Sequence, residues 1–389
     1  MDNFKEQAWR AIRAHEPELR ALAIRILEHP ELGYAEEQAS AWVSEALARH
    51  GFKVERPYGG LPTALRAYRG TGSGPRVAFL AEYDALPGVG HGCGHNLIAA
   101  AAVGAALGVA AVLEQTGGDL YVIGTPAEEV TDQEAGKIKL LKAGAFQDID
   151  VALMTHPSSG SYILGGDLGF IACELIFHGR AAHAAVDPWN GANALDGLLL
   201  TFNNVNALRQ HLRPEIRIHS MITDGGQAPN IIPERASARV MVRAPDSQTL
   251  AQVFARVQDC ARAGALASGT EVDVEVLTTV YNRRVFPTLN RLIVANFDQL
   301  GEPLNEKPFH SGGSADLGNL SHVMPATMFW IKTHPVGTPG HSPELAQAAG
   351  QEPALRGMLA SACVLAGVAL DLFSDPALLE QVREDFAKE

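Results

Sequence analysis

The chain has 389 residues, 47% hydrophobic and 19% charged, a balance that supports a large core and two domains. Its formal net charge of -13 speaks against a nucleic-acid binder, which needs Lys and Arg clustered on one face. Four scattered cysteines, Cys93, Cys173, Cys260 and Cys363, are too few for a disulfide scaffold, so reduced thiols in the cytoplasm are expected.

The N-terminal stretch is charged and amphipathic, without the apolar core and cleavage site of a signal peptide. "EQASAWVSEALARHG" has helical spacing and closes on Gly51. Four strand-type runs follow at 76–84, 120–129, 151–157 and 327–335, each ending in or just after an acid or a histidine. Helical stretches separate the first three, which implies a largely parallel sheet with its site at the strands' carboxyl ends. The apolar run Leu97–Leu113 is shorter than the ~20 residues of a membrane span and reads as a buried helix. A soluble chain with no membrane role is expected.

The middle of the chain reads strand, helix, strand, strand, helix, strand, the ferredoxin-like order. Its first helix places Leu195, Leu198, Leu199, Phe202, Val205 and Leu208 on one side. The expected architecture is α/β: a mixed, largely parallel catalytic sheet (1–167 and 285–389) interrupted by a ferredoxin-like lid domain (168–284). The lid's sheet edge offers a pairing surface for a second subunit.

The chemistry concentrates at the strand ends. In "GVGHGCGHN", Cys93 and His95 lie two apart, so in an extended segment their side chains share a side. Thiolate and imidazole suit zinc and related metals. A glycine turn with capping residues and an activated Cys93 nucleophile remain open on this motif alone. "PAEE" adds adjacent carboxylates, and a metal-dependent hydrolase needs one carboxylate as ligand and another as base. With His156, and with His341 or its competitor His334, there are donors enough for two metal ions. A two-metal centre is the favoured expectation.

"HPELGYAE", "AEYDALPG", "GHGCGHN", "PAEE", "THP", "GRAAHAAVDPWNGANALD", "PNIIPE" and "GGSADLGN" together resemble the M20 family of metal-dependent peptidases and amidohydrolases over nearly the whole chain. The amidohydrolase branch is nearest, with "GCGHN" pointing toward β-alanyl-lysine-type dipeptidases and aminobenzoyl-glutamate hydrolases. The resemblance implies a zinc-exopeptidase-like catalytic domain and two divalent ions, Zn or Mn, with Co or Ni as substitutes in vitro. It implies Cys93 between the metals, with His95, Glu129, His156 and His341 as terminal ligands. Glu128 would be the general base acting on water and returning the proton to the leaving amine. His183 would polarise the scissile carbonyl, in some members from the partner subunit, and Asn230 and Arg243 would hold a substrate carboxylate or carbonyl.

Several positions depart from the wider family. Glu82-Tyr83-Asp84 replaces its common His-x-Asp, so Glu82 is not carried over as a ligand, and Asp84 is expected to orient one. Asn96 stands where Asp is commoner, and its role stays open; His91 reads as a loop or supporting residue. "FHSGGSAD" (309–316) is expected to shape the pocket. The expected activity is hydrolysis of the amide bond of a small dipeptide or N-acyl amino acid, by a homodimeric assembly. An aminobenzoyl-glutamate-type amidohydrolase is the alternative within the class. Outside it stand a Cys93-nucleophile hydrolase and a non-catalytic binding protein.

Overall fold

A computed structural model describes residues 2–305 and 307–388. Twelve strands run in chain order: β1 (Lys53–Glu55), β2 (Leu65–Gly70), β3 (Arg76–Ala81), β4 (Asp119–Gly124), β5 (Val151–Ser158), β6 (Tyr162–Gly166), β7 (Gly169–His178), β8 (Arg217–Asp224), β9 (Arg235–Ala244), β10 (Glu271–Val280), β11 (Phe309–His310) and β12 (Ala326–Lys332). Eight of them form one sheet in the order β1-β2-β4-β3-β5-β12-β6-β11. Its centre, β4-β3-β5-β12, is parallel throughout, while β1-β2, β2-β4 and β12-β6 pair antiparallel. The sheet is mixed, as expected, and its parallel centre brings the carboxyl ends of β3, β4, β5 and β12 to one side.

β3 and β4 are apolar at nearly every position because helices cover the sheet. Helix His95–Ala110 is buried along its whole length, which explains an Ala- and Gly-rich sequence with almost no polar face. Gly104 and Gly108 let it approach Leu19 and Ile12 closely; an added Cβ would meet them at 2.9 and 2.7 Å. Helix Glu352–Ser374 is long and apolar enough to cross a membrane, yet 83% of its apolar window is buried, and it packs against His95–Ala110 within the main core.

The remaining four strands form an antiparallel sheet, β10-β7-β9-β8, under helices Ala194–Arg209 and Ser247–Ser268. The order matches the ferredoxin-like expectation. Leu199 does not join the buried side expected for the first of these helices; it is 44% exposed. The chain crosses between the two sheets at 167–168 and again at 281–286. Asp167 in the first crossing binds Arg283 in the second through Nε at 2.5 Å and the backbone N at 2.7 Å.

Candidate active site

The glycine motif is a turn, and the extended segment expected around Cys93 and His95 does not form. Gly94 has φ +78 and precedes His95, the first residue of helix His95–Ala110. That left-handed residue, which glycine adopts without strain, swings Cys93 toward β5. A Cβ on Gly94 would lie 2.8 Å from Pro157, so glycine also permits the close approach. Cys93 Sγ consequently sits 3.3 Å from His156 Nε2.

The "PAEE" carboxylates also lie beyond the strand expected to carry them. β4 stops at Gly124, Pro126 cannot donate to a ladder, and Ala127 takes φ +57. Such a conformation costs energy for a residue with a Cβ and persists where its surroundings enforce it. Here Glu36 accepts from Ala127 N and from Thr63 Oγ1, both at 2.8 Å. Gly33 packs directly under the turn, where an added Cβ would meet Ala127 Cβ at 3.0 Å. The "ELGYAE" motif therefore braces the segment that presents Glu128 and Glu129.

Asp84 links this turn to the glycine motif. Its Oδ2 accepts from Glu129 N at 3.0 Å, and its Oδ1 lies 3.0 Å from His95 Nδ1. A carboxylate accepts only, so Nδ1 donates and Nε2 is turned toward the other candidate ligands. His95 Nε2 lies 3.9 Å from both Glu128 Oε2 and Glu129 Oε1. His341 Nε2 lies 3.4 Å from Glu129 Oε1. His341 has φ +55, and its backbone N donates to Gly92 O. Its competitor His334 bonds Thr333 and lines a separate cavity beside Arg356.

Three overlapping groups thus bring donor atoms within 4.8 Å: Cys93, His95 and His156; Cys93, Glu129 and His341; His95, Glu128 and Glu129. His95 Nε2 and Glu129 Oε1 are buried without a hydrogen-bond partner. Burying such groups unsatisfied is costly, and one or two divalent cations would satisfy them together. The donor set of thiol, imidazole and carboxylate fits zinc or a similar ion.

The electrostatics agree. Burial, with Glu82, Glu129 and Asp316 close by, holds the Glu128 carboxyl well above its usual range. Burial pushes His156 down to about 4, leaving a neutral imidazole. Burial and the Glu129 carboxylate raise the Cys93 thiol. Burial lowers His95, but Cys93 and Asp84 outweigh it and raise its affinity for a proton, the same site a cation would take.

The sequence did not reveal what lies beneath. Lys137 is fully buried, with Nζ 2.5 Å from both Glu82 Oε1 and Asp316 Oδ1. Glu82, Glu128 and Asp316 gather within 4.8 Å, and Lys137 offsets the charge of this carboxylate group. In "EAGKIKLLK" Lys137 looks like any lysine of a short amphipathic helix, and only the fold puts it under the site. His91 is buried, and burial lowers it to about 4. Asn96 Nδ2 donates to Ala23 O and Ala349 O, tying the central helix to its neighbours.

Cys93, Glu128, Glu129, His156 and His341 all line one cavity of about 270 Å³. Ser311, Gly313 and Ser314 of "FHSGGSAD" form part of its wall, and Arg243 and Arg283 reach it from the lid sheet and the second crossing. Arg283 stands in "NRR", a stretch that carries no motif, so sequence reasoning missed it. His183 and Asn230 are not among the lining residues. They sit on neighbouring exposed loops of the four-stranded unit, where Ala184 N donates to Asn230 O and His183 bridges Ile231.

Residues 166–268 match the peptidase dimerisation domain of M20 proteins. Over 405 aligned residues the chain is 39% identical to the Xaa-Arg dipeptidase of Mus musculus, covering 99% of this chain and 93% of that one. The chain belongs to the M20 family of peptidases and related hydrolases. Another relative, a p-aminobenzoyl-glutamate hydrolase chain of Escherichia coli, is 28% identical, covering 96% of this chain and 93% of its own. In fold, the chain resembles a dinuclear metal-binding M20 peptidase of Bacillus subtilis, with a TM-score of 0.68 and 19% identity over 92% of this chain and 99% of that one. The M20 architecture accounts for both sheets, the large catalytic one and the inserted lid.

Proposed function

We propose that this M20 enzyme hydrolyses the amide bond of a small dipeptide or N-acyl amino acid, with Glu128 as general base. The observation that carries the reading is the convergence of Cys93, Glu129, His156 and His341 on one cavity with Glu128 among them, and the grouping of the buried His95 with these same donors, its Nε2 and Glu129 Oε1 unpaired among the described residues. Two divalent ions, Zn or Mn, with Co or Ni as in vitro substitutes, would supply carbonyl polarisation and water activation there. Cys93 sits between the two donor groups that contain it, with His95 and His156 on one side and Glu129 and His341 on the other.

The protein's own groups handle the proton. Glu128 is surrounded by three carboxylates and buried, so its Oε atoms hold a proton well and can pass it to a leaving amine. Lys137 prevents Glu82 and Asp316 from repelling the base further. Asp84 fixes the His95 ring by its Nδ1. A thiol nucleophile is disfavoured: burial and the Glu129 carboxylate raise the Cys93 thiol and outweigh the lowering effect of His95, so the thiolate is not the favoured form.

Dipeptides with a basic C-terminal residue are the first substrates to test, given the Xaa-Arg dipeptidase relative. Two arginines on the cavity wall favour a second reading, an aminobenzoyl-glutamate-like substrate rich in carboxylate. His183 and Asn230 would serve the cavity of a partner subunit in a homodimer paired through the lid, whose edge strand β8 exposes Met221 (61%) and Ile222 (44%). The catalytic domain would comprise 1–167 and 285–389 and the lid 168–284. Four free, well-separated cysteines support a cytoplasmic location.

The test is amine release from dipeptides with basic and neutral C-termini, N-acyl amino acids, hippurate and aminobenzoyl-glutamate. Cleavage should be lost to a chelator and restored by Zn or Mn. Cleavage that survives chelation but stops on thiol alkylation would replace the reading with a Cys93 nucleophile.

A further inference from the structure

Arg283 is 4% exposed, yet it forms part of the wall of the catalytic cavity. Its guanidinium is always charged and carries five N–H donors. One face of that fork is used: Nε donates to Asp167, which is its one carboxylate partner among the described residues. The other end is poorly served. Nη1 meets the thioether of Met328, a weak acceptor, and no oxygen accepts from either Nη atom among the described residues. A desolvated cation left with unspent donors is costly unless an acceptor arrives.

The group is also held in place. Trp330 lies under the guanidinium at 4.9 Å from ring centroid to Cζ, and Asp167 anchors both its Nε and its backbone N. Arg243 is different: it projects from β9, spends Nη1 on Ser314 Oγ at 2.8 Å, and stacks over Phe170. Cys93, Glu128 and His341 line the same cavity as Arg283.

We propose that Arg283 is a specificity-determining residue that receives the free carboxylate of the substrate through its two Nη atoms, with Asp167 fixing the fork. This rests on the amide-hydrolase reading above. A preorganised guanidinium suits a carboxylate, which can accept two parallel N–H bonds, and it rejects a carboxamide, which offers one neutral oxygen. Because Asp167 and Arg283 lie in the two chain crossings, the anchor belongs to the junction between the sheets.

The experiment compares alanyl-arginine with its C-terminal amide on the metal-loaded enzyme. The wild type should prefer the acid. Arg283→Gln should raise KM for the acid roughly 10- to 100-fold with kcat little changed, and should cost the amide far less, so that the acid-over-amide preference shrinks. Arg283→Lys, which keeps the charge and loses the fork, should fall between them, and it carries the test if the Gln variant fails to fold. An equal loss on acid and amide, or an unchanged preference, would overturn the proposal. If the wild type cleaves no member of the wider panel, the hydrolase reading fails on its own. Calorimetric titration of wild type and Arg283→Lys with benzoyl-glycine and benzoyl-glycinamide then decides the proposal: acid-selective binding that weakens in the variant supports it, and binding without selectivity refutes it.

Discussion

The strand-end cluster and the four-stranded lid present their polar residues in opposite ways. In the cluster the candidate groups are seated by other residues: Asp84 holds His95 and Glu129 N, Glu36 holds the turn before Glu128, and Gly92 O holds the backbone of His341. In the lid sheet, His183 and Asn230 are exposed on loops, and of these two and Arg243 it is Arg243 that reaches the cavity. One chain therefore gathers the candidate ligands and Glu128 by itself, whereas under the proposed function the exposed lid residues act with a partner subunit.

Damage under the cluster should therefore destabilise the fold, and damage at the lid edge should silence the protein while it stays folded. The largest effect is expected for Lys137→Met, which leaves Glu82 and Asp316 buried and unpaired; denaturant unfolding should show a loss of about 3–5 kcal/mol. An unchanged midpoint would mean that Lys137 does not offset the carboxylates. Next, charges introduced on β8, as Met221→Glu with Ile222→Lys, should yield a monomer by sedimentation with a stability change of about 0.5 kcal/mol or less. Its activity should drop about 10²–10³-fold if His183 acts across the dimer. A fully active monomer would place His183 in its own chain's reaction or outside the reaction altogether.

The smallest effect concerns the brace under Ala127. Burial first, then the charge of Asp84, raises the Glu36 carboxyl to about 7 from its ordinary 4.5. Its folded value is the higher one, so it contributes stability below pH 4.5 that is lost as pH rises through 7. The difference corresponds to roughly 3 kcal/mol. Glu36→Gln keeps an acceptor for Ala127 N and should flatten unfolding free energy across that window; an unaltered pH profile would assign the slope to other groups.

The strand ends were legible because period and residue type coincide there: apolar runs of strand length stop at acids and histidines, and parallel pairing needs nothing further to align them. The alternating strands and helices of the lid were legible for the same reason. The route to the site was not. Cys93 and His95 converge through a left-handed glycine, not through strand alternation, and Glu128 stands four residues past its strand, just after a positive-φ alanine. Leu199 fits the helical period of its neighbours but faces outward, since period alone does not say where the packed face ends.

What the sequence by itself determined is the set of donors, the order of elements and the family they resemble, because these depend on residue type and local spacing. Tertiary structure decided which residues share a cavity. It chose His341 over His334, placed Lys137 beneath the carboxylates, and turned Arg283 into the cavity wall while leaving His183 and Asn230 away from it. Those choices depend on contacts between segments far apart in the chain, such as Lys137 with Asp316. No local pattern encodes them; burial and charge compensation in the folded chain do.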